Sequence, residues 1–166
     1  MSQLKPITRG GVPAALEKAK QYRVLNEPAA AESICQDILC VDDQHEEARI
    51  TLLLALTDQF EETLNSGAQL AKEVLYQLKD PYHRAYYHGL ICERQALSHL
   101  KRGAPQAGYI AYEWLEDAMH WYQAAEAIRP AGNDDAILRW NTCVRLLERH
   151  PEIKPRLEET YEPSLE

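Results

Sequence analysis

The sequence predicts an all-α protein of about seven helices in antiparallel pairs, and three observations carry that expectation. Ala, Leu, Glu and Gln dominate the middle of the chain, β-branched runs are rare and only seven glycines occur in 166 residues, a composition that favours helices. Apolar residues recur at helical intervals between short Asn, Asp, Gly and Pro breakers, as amphipathic helices joined by turns require. One spacing also occurs twice. Ala118, Tyr122, Ala125 and Pro130 lie four, three and five residues apart, and Ala31, Cys35, Ile38 and Asp43 repeat those intervals.

The elements follow in order. Residues 1–11 end in Gly10-Gly11 and read as a flexible lead. A first helix spans about residues 12–25, with Pro13 in its first turn, where a missing N–H does no harm. Asn26-Glu27-Pro28 breaks it. A second helix, about 28–41, carries the stripe Ala30, Ala31, Ile34, Cys35, Ile38 and Leu39. Asp43 and Glu46 have capping-box spacing and open a third helix over about 44–59. There Leu52 to Leu56 wrap the cylinder, so burial on most sides is expected. Residues 61–67 read as a loop. Ser66 and Gln69 form a second box, starting a fourth helix to about 78 with Leu70, Val74, Leu75 and Leu78 inward. Asp80-Pro81 caps a long fifth helix to about 102. Gly103-Ala104-Pro105 leads into an equally long sixth, to about 128. Asn133 caps a seventh over 133–150, with the stripe Ala136, Ile137, Trp140, Cys143, Val144 and Leu147. Residues 151–166 read as an acidic tail holding five of the chain's glutamates.

The helical domain is thus residues 12–150. The whole chain's net charge of −8 argues against nucleic-acid binding, which needs clustered Lys and Arg. Lys101-Arg102 ends a helix, where cations complement the dipole. Cys35, Cys40, Cys92 and Cys143 form no Cys-x-x-Cys pair, and three lie on apolar stripes, as buried thiols in a reducing compartment do. No run of about 18 apolar residues exists, and residues 1–11 hold no apolar core of signal-peptide length. The expectation is a cytoplasmic protein without a membrane span.

The doubled spacing resembles the second helix and following turn of a tetratricopeptide repeat. Ala19, Tyr22 and Ala31 also keep the family's intervals across a helix pair, where small residues permit close approach. The first repeat is about residues 12–45, the family's length of about 34. It departs from the pattern at Cys35, in place of an aromatic residue, and at Asp43, in place of the turn proline. A second repeat, about 46–80, and a third, about 81–130, are stretched: the interval from Gly89 to Ala118 far exceeds the ordinary one. The seventh helix resembles the cap that ends such arrays. The resemblance implies a right-handed α-α superhelix whose first helices line a concave, peptide-binding face. Small secretion chaperones resemble this chain in length, acidity and repeat number.

Alignment with that pattern points Lys20, Arg23, Thr57, Asp58, His83, Tyr86, Tyr87, Arg94, Asn141 and Arg145 into the concave face. The set is richer in positive charge than the whole chain and suits an acidic or C-terminal peptide of another protein. The alternative is that Lys20 and Arg23 are solvated and Tyr86 or Tyr87 is core. The family's carboxylate clamp is not reproduced. Trp114 and Trp121, seven apart, share one side of the sixth helix and either pack the hairpin or form a patch for a partner or a homodimer. His83 and His88 are five apart, which takes them off one helix face, so no metal is expected. Glycine-rich phosphate loops, His-Glu-x-x-His and the nucleophile elbow are missing. Glu93, Glu116 and Asp117 read as solvated helix positions, and no enzyme activity or cofactor is expected.

Overall fold

The computed structural model describes residues 1–157, and among them the chain is all-helical. After a 3-10 turn at Arg9–Gly11 come α1 (Val12–Val24), α2 (Pro28–Val41), α3 (Glu46–Thr57), α4 (Phe60–Gln77), α5 (Pro81–Arg102), α6 (Ala107–Ala127) and α7 (Asp135–Arg149). Each helix packs against the next in sequence, which is the arrangement of an α-α superhelix. No helix among the described residues is long and apolar enough to cross a membrane.

The helix ends follow local chemistry. Asn26 closes α1 in the left-handed region, with φ 60°, a conformation Asn tolerates better than most residues. Pro28 opens α2. At α5 the expected cap is present: the Asp80 carboxylate accepts from the Tyr82 N–H at 2.8 Å. Gly103, with φ 65°, ends that helix, as a left-handed C-terminal glycine does. The cap position of α7 is Asp134 rather than the expected Asn133. Asn133, one residue earlier, accepts from the Asp135 N–H at 3.0 Å and from the Tyr82 hydroxyl at 3.2 Å, so it ties the start of α7 to α5.

Four further local expectations are corrected. The Asp43–Glu46 box does not form. His45 caps α3 instead, its Nδ1 accepting from the Ala48 N–H at 3.1 Å. Glu46 is engaged elsewhere: its carboxylate accepts from the backbone N–H groups of Lys79 at 3.1 Å and Asp80 at 3.4 Å. Residues 61–67 are helical rather than a loop, because Phe60 and Leu64 bury there and draw the chain into α4. A kink at Thr63 (φ −129°, ψ 33°) accommodates the entry. Ser66 therefore sits inside the helix and cannot cap it, and Leu70 faces solvent while Ala68 and Ala71 face the core.

The core has two main parts. Ala19, Ala31, Leu53, Phe60, Ala71, Leu75 and Ile91 lie at the centre of one, spanning α1 to α5. Ala96, Ala111, Leu115, Ala118 and Tyr122 centre the other, where α5, α6 and α7 meet. As the wrapping of Leu52 to Leu56 implies, most of α3 is buried. Arg49 is buried as well, donating to the Gln77 carbonyl at 2.9 Å and to the Asp43 carbonyl, so a cation meets the C-terminal end of α4. The α5–α6 pair approaches closely at Gly89, where a Cβ would come within 2.7 Å of the Tyr122 ring.

The chain after α7 turns back onto the domain. Ile153 is 4% exposed and joins the second core part. The Glu152 carbonyl presses on Gly108, where a Cβ would meet it at 2.2 Å. Arg156 pairs with Glu113 at 3.3 Å. Ile153 thus anchors the segment after α7 to the domain, while its neighbours in 151–157 are exposed. The rest of the expected tail lies outside the described residues.

Candidate functional site

The odd-numbered helices α1, α3 and α5 bring most of the expected inward positions to one face. Lys20 and Arg23 of α1, His83 and Tyr87 of α5, and Glu46, Glu47, Ile50, Thr51 and Leu54 of α3 line a cleft of about 570 Å³. Ile50, Leu54 and Tyr87 give it an apolar floor. The charged groups form its rim. The stripe has simple helical causes: 47, 51 and 54 on α3, continued by Asp58 at its C-cap, and 83, 87 and 94 on α5, recur on one side of their helices.

Ion pairs order the rim. Lys20 donates to Glu47 at 2.5 Å and to Glu17 at 3.3 Å, and the Glu47 contact raises the Lys20 pKa. Beside the cleft, Asp58 receives two arginines. Arg23 binds it through Nε at 2.7 Å and Nη2 at 3.2 Å, and Arg94 through Nη1 at 3.1 Å. Two guanidinium groups for one carboxylate leave a local surplus of positive charge. His83 Nδ1 lies 3.5 Å from Glu46 and 3.8 Å from Asp80, beyond a good hydrogen bond, and is buried without a partner.

The remaining expected positions fall elsewhere. Thr57 is buried, its hydroxyl donating to the Leu54 carbonyl at 2.8 Å, so it does not face the cleft. Tyr86 turns to the α6 side, stacked on Tyr82 at 5.9 Å and edge-on to Tyr87 at 5.0 Å. Burial raises the pKa of both Tyr86 and Tyr87. Asn141 is half-buried on α7. Arg145, also on α7, is exposed and lines a separate cleft between α5 and α7.

Trp114 and Trp121 are each half-buried and already engaged. Trp121 stacks on His88 with ring centroids 4.1 Å apart. The Lys72 ammonium lies 5.7 Å above the Trp114 ring, a cation–π distance. Burial lowers the His88 pKa, with Lys72 adding to the effect and Asp117 opposing it.

Glu93 overturns its expected place in solvent. It is 3% exposed, accepts from the Tyr122 hydroxyl at 2.6 Å, and pairs with Arg139 of α7 at 3.1 Å and 2.5 Å. Burial and the Glu93 charge raise the Tyr122 pKa, so the phenol stays protonated and donates. The pattern gave one signal: Glu93 follows Cys92 and lies four residues after Gly89, on the side of α5 that α6 and α7 approach.

Three cysteines are buried as expected, and Cys40 is exposed. Burial pushes the Cys35, Cys92 and Cys143 thiols up to about 12, so they stay protonated and are poor nucleophiles. Among the described residues no group of three or more His, Cys, Asp or Glu side chains is placed to hold a metal ion. Comparison with protein-family models, with curated proteins and with solved structures finds no significant match.

Proposed function

We propose that this protein is a non-catalytic, cytoplasmic interaction module, a divergent tetratricopeptide-like array that holds a peptide or helix of another protein against the α1–α3–α5 face. One observation carries the proposal. Residues expected to point inward on two different helices, Lys20, Arg23, His83 and Tyr87, line a single cleft with an apolar floor and a charged rim. Such a surface buries a partner's apolar side chains while its rim sets register and orientation. The rim cations already have carboxylate partners within the protein, which favours a recognition surface over a reactive one. A self-assembling role through Trp114 and Trp121 has less support, because His88 and Lys72 already cover those rings.

The test is co-purification from native lysate with three forms of the protein. Wild type is compared with a Lys20→Glu/Leu54→Asp variant of the cleft and with a Leu70→Asp/Tyr76→Glu variant of exposed α4 positions. The cleft variant loses the bound protein and the α4 variant retains it. Equal recovery by all three forms contradicts the proposal.

A further inference from the structure

A second cleft lies between α5 and α7. Glu93 and Leu97 of α5 and Thr142, Arg145, Leu146 and Arg149 of α7 enclose about 340 Å³. It opens, through Leu97, Leu146 and His150, into a larger hollow of about 600 Å³ that Leu100 also lines. Leu97 is 38% exposed, so the floor of this trough is apolar and reachable from solvent.

Charge separates this trough from the first cleft. Around the first, every cation has a carboxylate: Lys20 has Glu47, and Arg23 and Arg94 share Asp58. Arg139, deeper on α7, has Glu93. Arg145 and Arg149 differ. They stand one turn apart on α7, both exposed, and neither has a carboxylate within 4.0 Å among the described residues. Two carboxylates line the trough and both are engaged: Glu93 is bound by Arg139 and Tyr122, and Glu152 pairs with His150 at 2.9 Å. In a chain of net charge −8, two adjacent arginines beside an apolar trough are a local inversion of sign.

We infer that the α5–α7 trough docks an acidic amphipathic helix of a partner protein, its apolar stripe on Leu97, Leu100 and Leu146 and its carboxylates on Arg145 and Arg149. The inference rests on the interaction-module reading and goes beyond it, to a second docking site and the chemistry of its occupant. A helix fits because the trough runs between two helices, and apolar residues at three- and four-residue intervals present one continuous stripe to such a floor. Two arginines one turn apart match carboxylates one turn apart on the incoming helix.

The probes are synthetic helical peptides about 18 residues long, roughly five turns. One carries a leucine stripe flanked by Glu, a second has Lys for every Glu, and a third has Ser for every Leu. Binding to the full chain is followed by backbone amide NMR shifts and by titration. The acidic amphipathic peptide binds, shifts Leu97 and Leu146, and binds about tenfold more weakly to Arg145→Glu/Arg149→Glu. The other two peptides bind more weakly than the first, and Lys20→Glu leaves the affinity unchanged. The inference is overturned if the Lys peptide binds as well, or if the double arginine variant binds as wild type does. It is also overturned if a chain ending at residue 157 binds tenfold better than the full chain, since the trough is then filled by the protein's own end. Shifts confined to Ile50, Leu54 and Tyr87 overturn it while leaving the proposed function standing.

Discussion

The α1–α2 pair and the α5–α6 pair solve the same packing problem with different chemistry. In the first, Ala19 meets the α2 side bearing Ala31, both fully buried, and Lys20 and Arg23 turn away from α2 to pair with Glu47 and Asp58. In the second, Gly89 admits the Tyr122 ring, and the Tyr122 hydroxyl brings a carboxylate into the interior to meet Arg139. The short pair is held by apolar contact alone. The long pair adds a buried ionic link that fastens α7 to α5. Burying charge costs several kcal/mol per ion before pairing offsets it, so the second arrangement is costly to disturb and specific in what it holds.

The largest effect is expected at that link. Glu93→Ala leaves the Tyr122 hydroxyl and the Arg139 guanidinium without their acceptor and costs about 2–4 kcal/mol in chemical denaturation, below the full range because Arg139 is partly exposed. A Glu93→Leu/Arg139→Leu variant recovers part of that loss. If Glu93→Ala is neutral, the contrast between the two pairs fails. Next comes Gly89→Ala, whose Cβ overlaps the Tyr122 ring. It lowers stability by about 1–3 kcal/mol, read as a shift of the urea midpoint. Asp58→Asn sharpens the comparison from the other side. It weakens two ion pairs at the same carboxylate, but the three side chains are 19–32% exposed. The loss is therefore about 1 kcal/mol or less and shrinks in high salt.

The smallest effect is a pH dependence at His88. Its folded-state pKa lies below the ordinary value, through burial first and Lys72 second. The unfolded chain therefore takes up a proton at higher pH than the folded one. Stability is highest above the unfolded value of about 6.5 and declines as pH falls through it. Thermal melts between neutral and mildly acidic pH show this decline, and His88→Phe flattens it while keeping the stack on Trp121.

Much of this architecture is legible in the sequence because it depends on period and punctuation. The bounds of α1, α2 and α5 follow from Pro13, Pro28, Asp80-Pro81 and Gly103, residues whose backbone restrictions act locally. What escaped depends on partners distant in the chain. Glu46 has capping-box spacing, yet its carboxylate serves Lys79 and Asp80 in the turn between α4 and α5. Phe60 and Leu64 turn an expected loop into helix only because a core is there to receive them. Glu93 is an ordinary helix glutamate until Tyr122 and Arg139 arrive from two other helices. The same distinction divides the candidate site. Lys20, Arg23, His83 and Tyr87 share a cleft because helical phase places them there. Leu54 reads as one of a run of core leucines, and Leu97 and Arg149 matter only through the gap between α5 and α7.

Site-specific photo-crosslinking tests the central claim most directly. A benzoylphenylalanine placed at Tyr87, on the cleft floor, is compared with one at Tyr76, which is 71% exposed on α4. If the α1–α3–α5 face holds a partner, irradiation in native lysate gives a discrete adduct from position 87 and none from position 76, and Lys20→Glu/Leu54→Asp abolishes it. An adduct from position 76 alone, or equal adducts from both, contradicts the account.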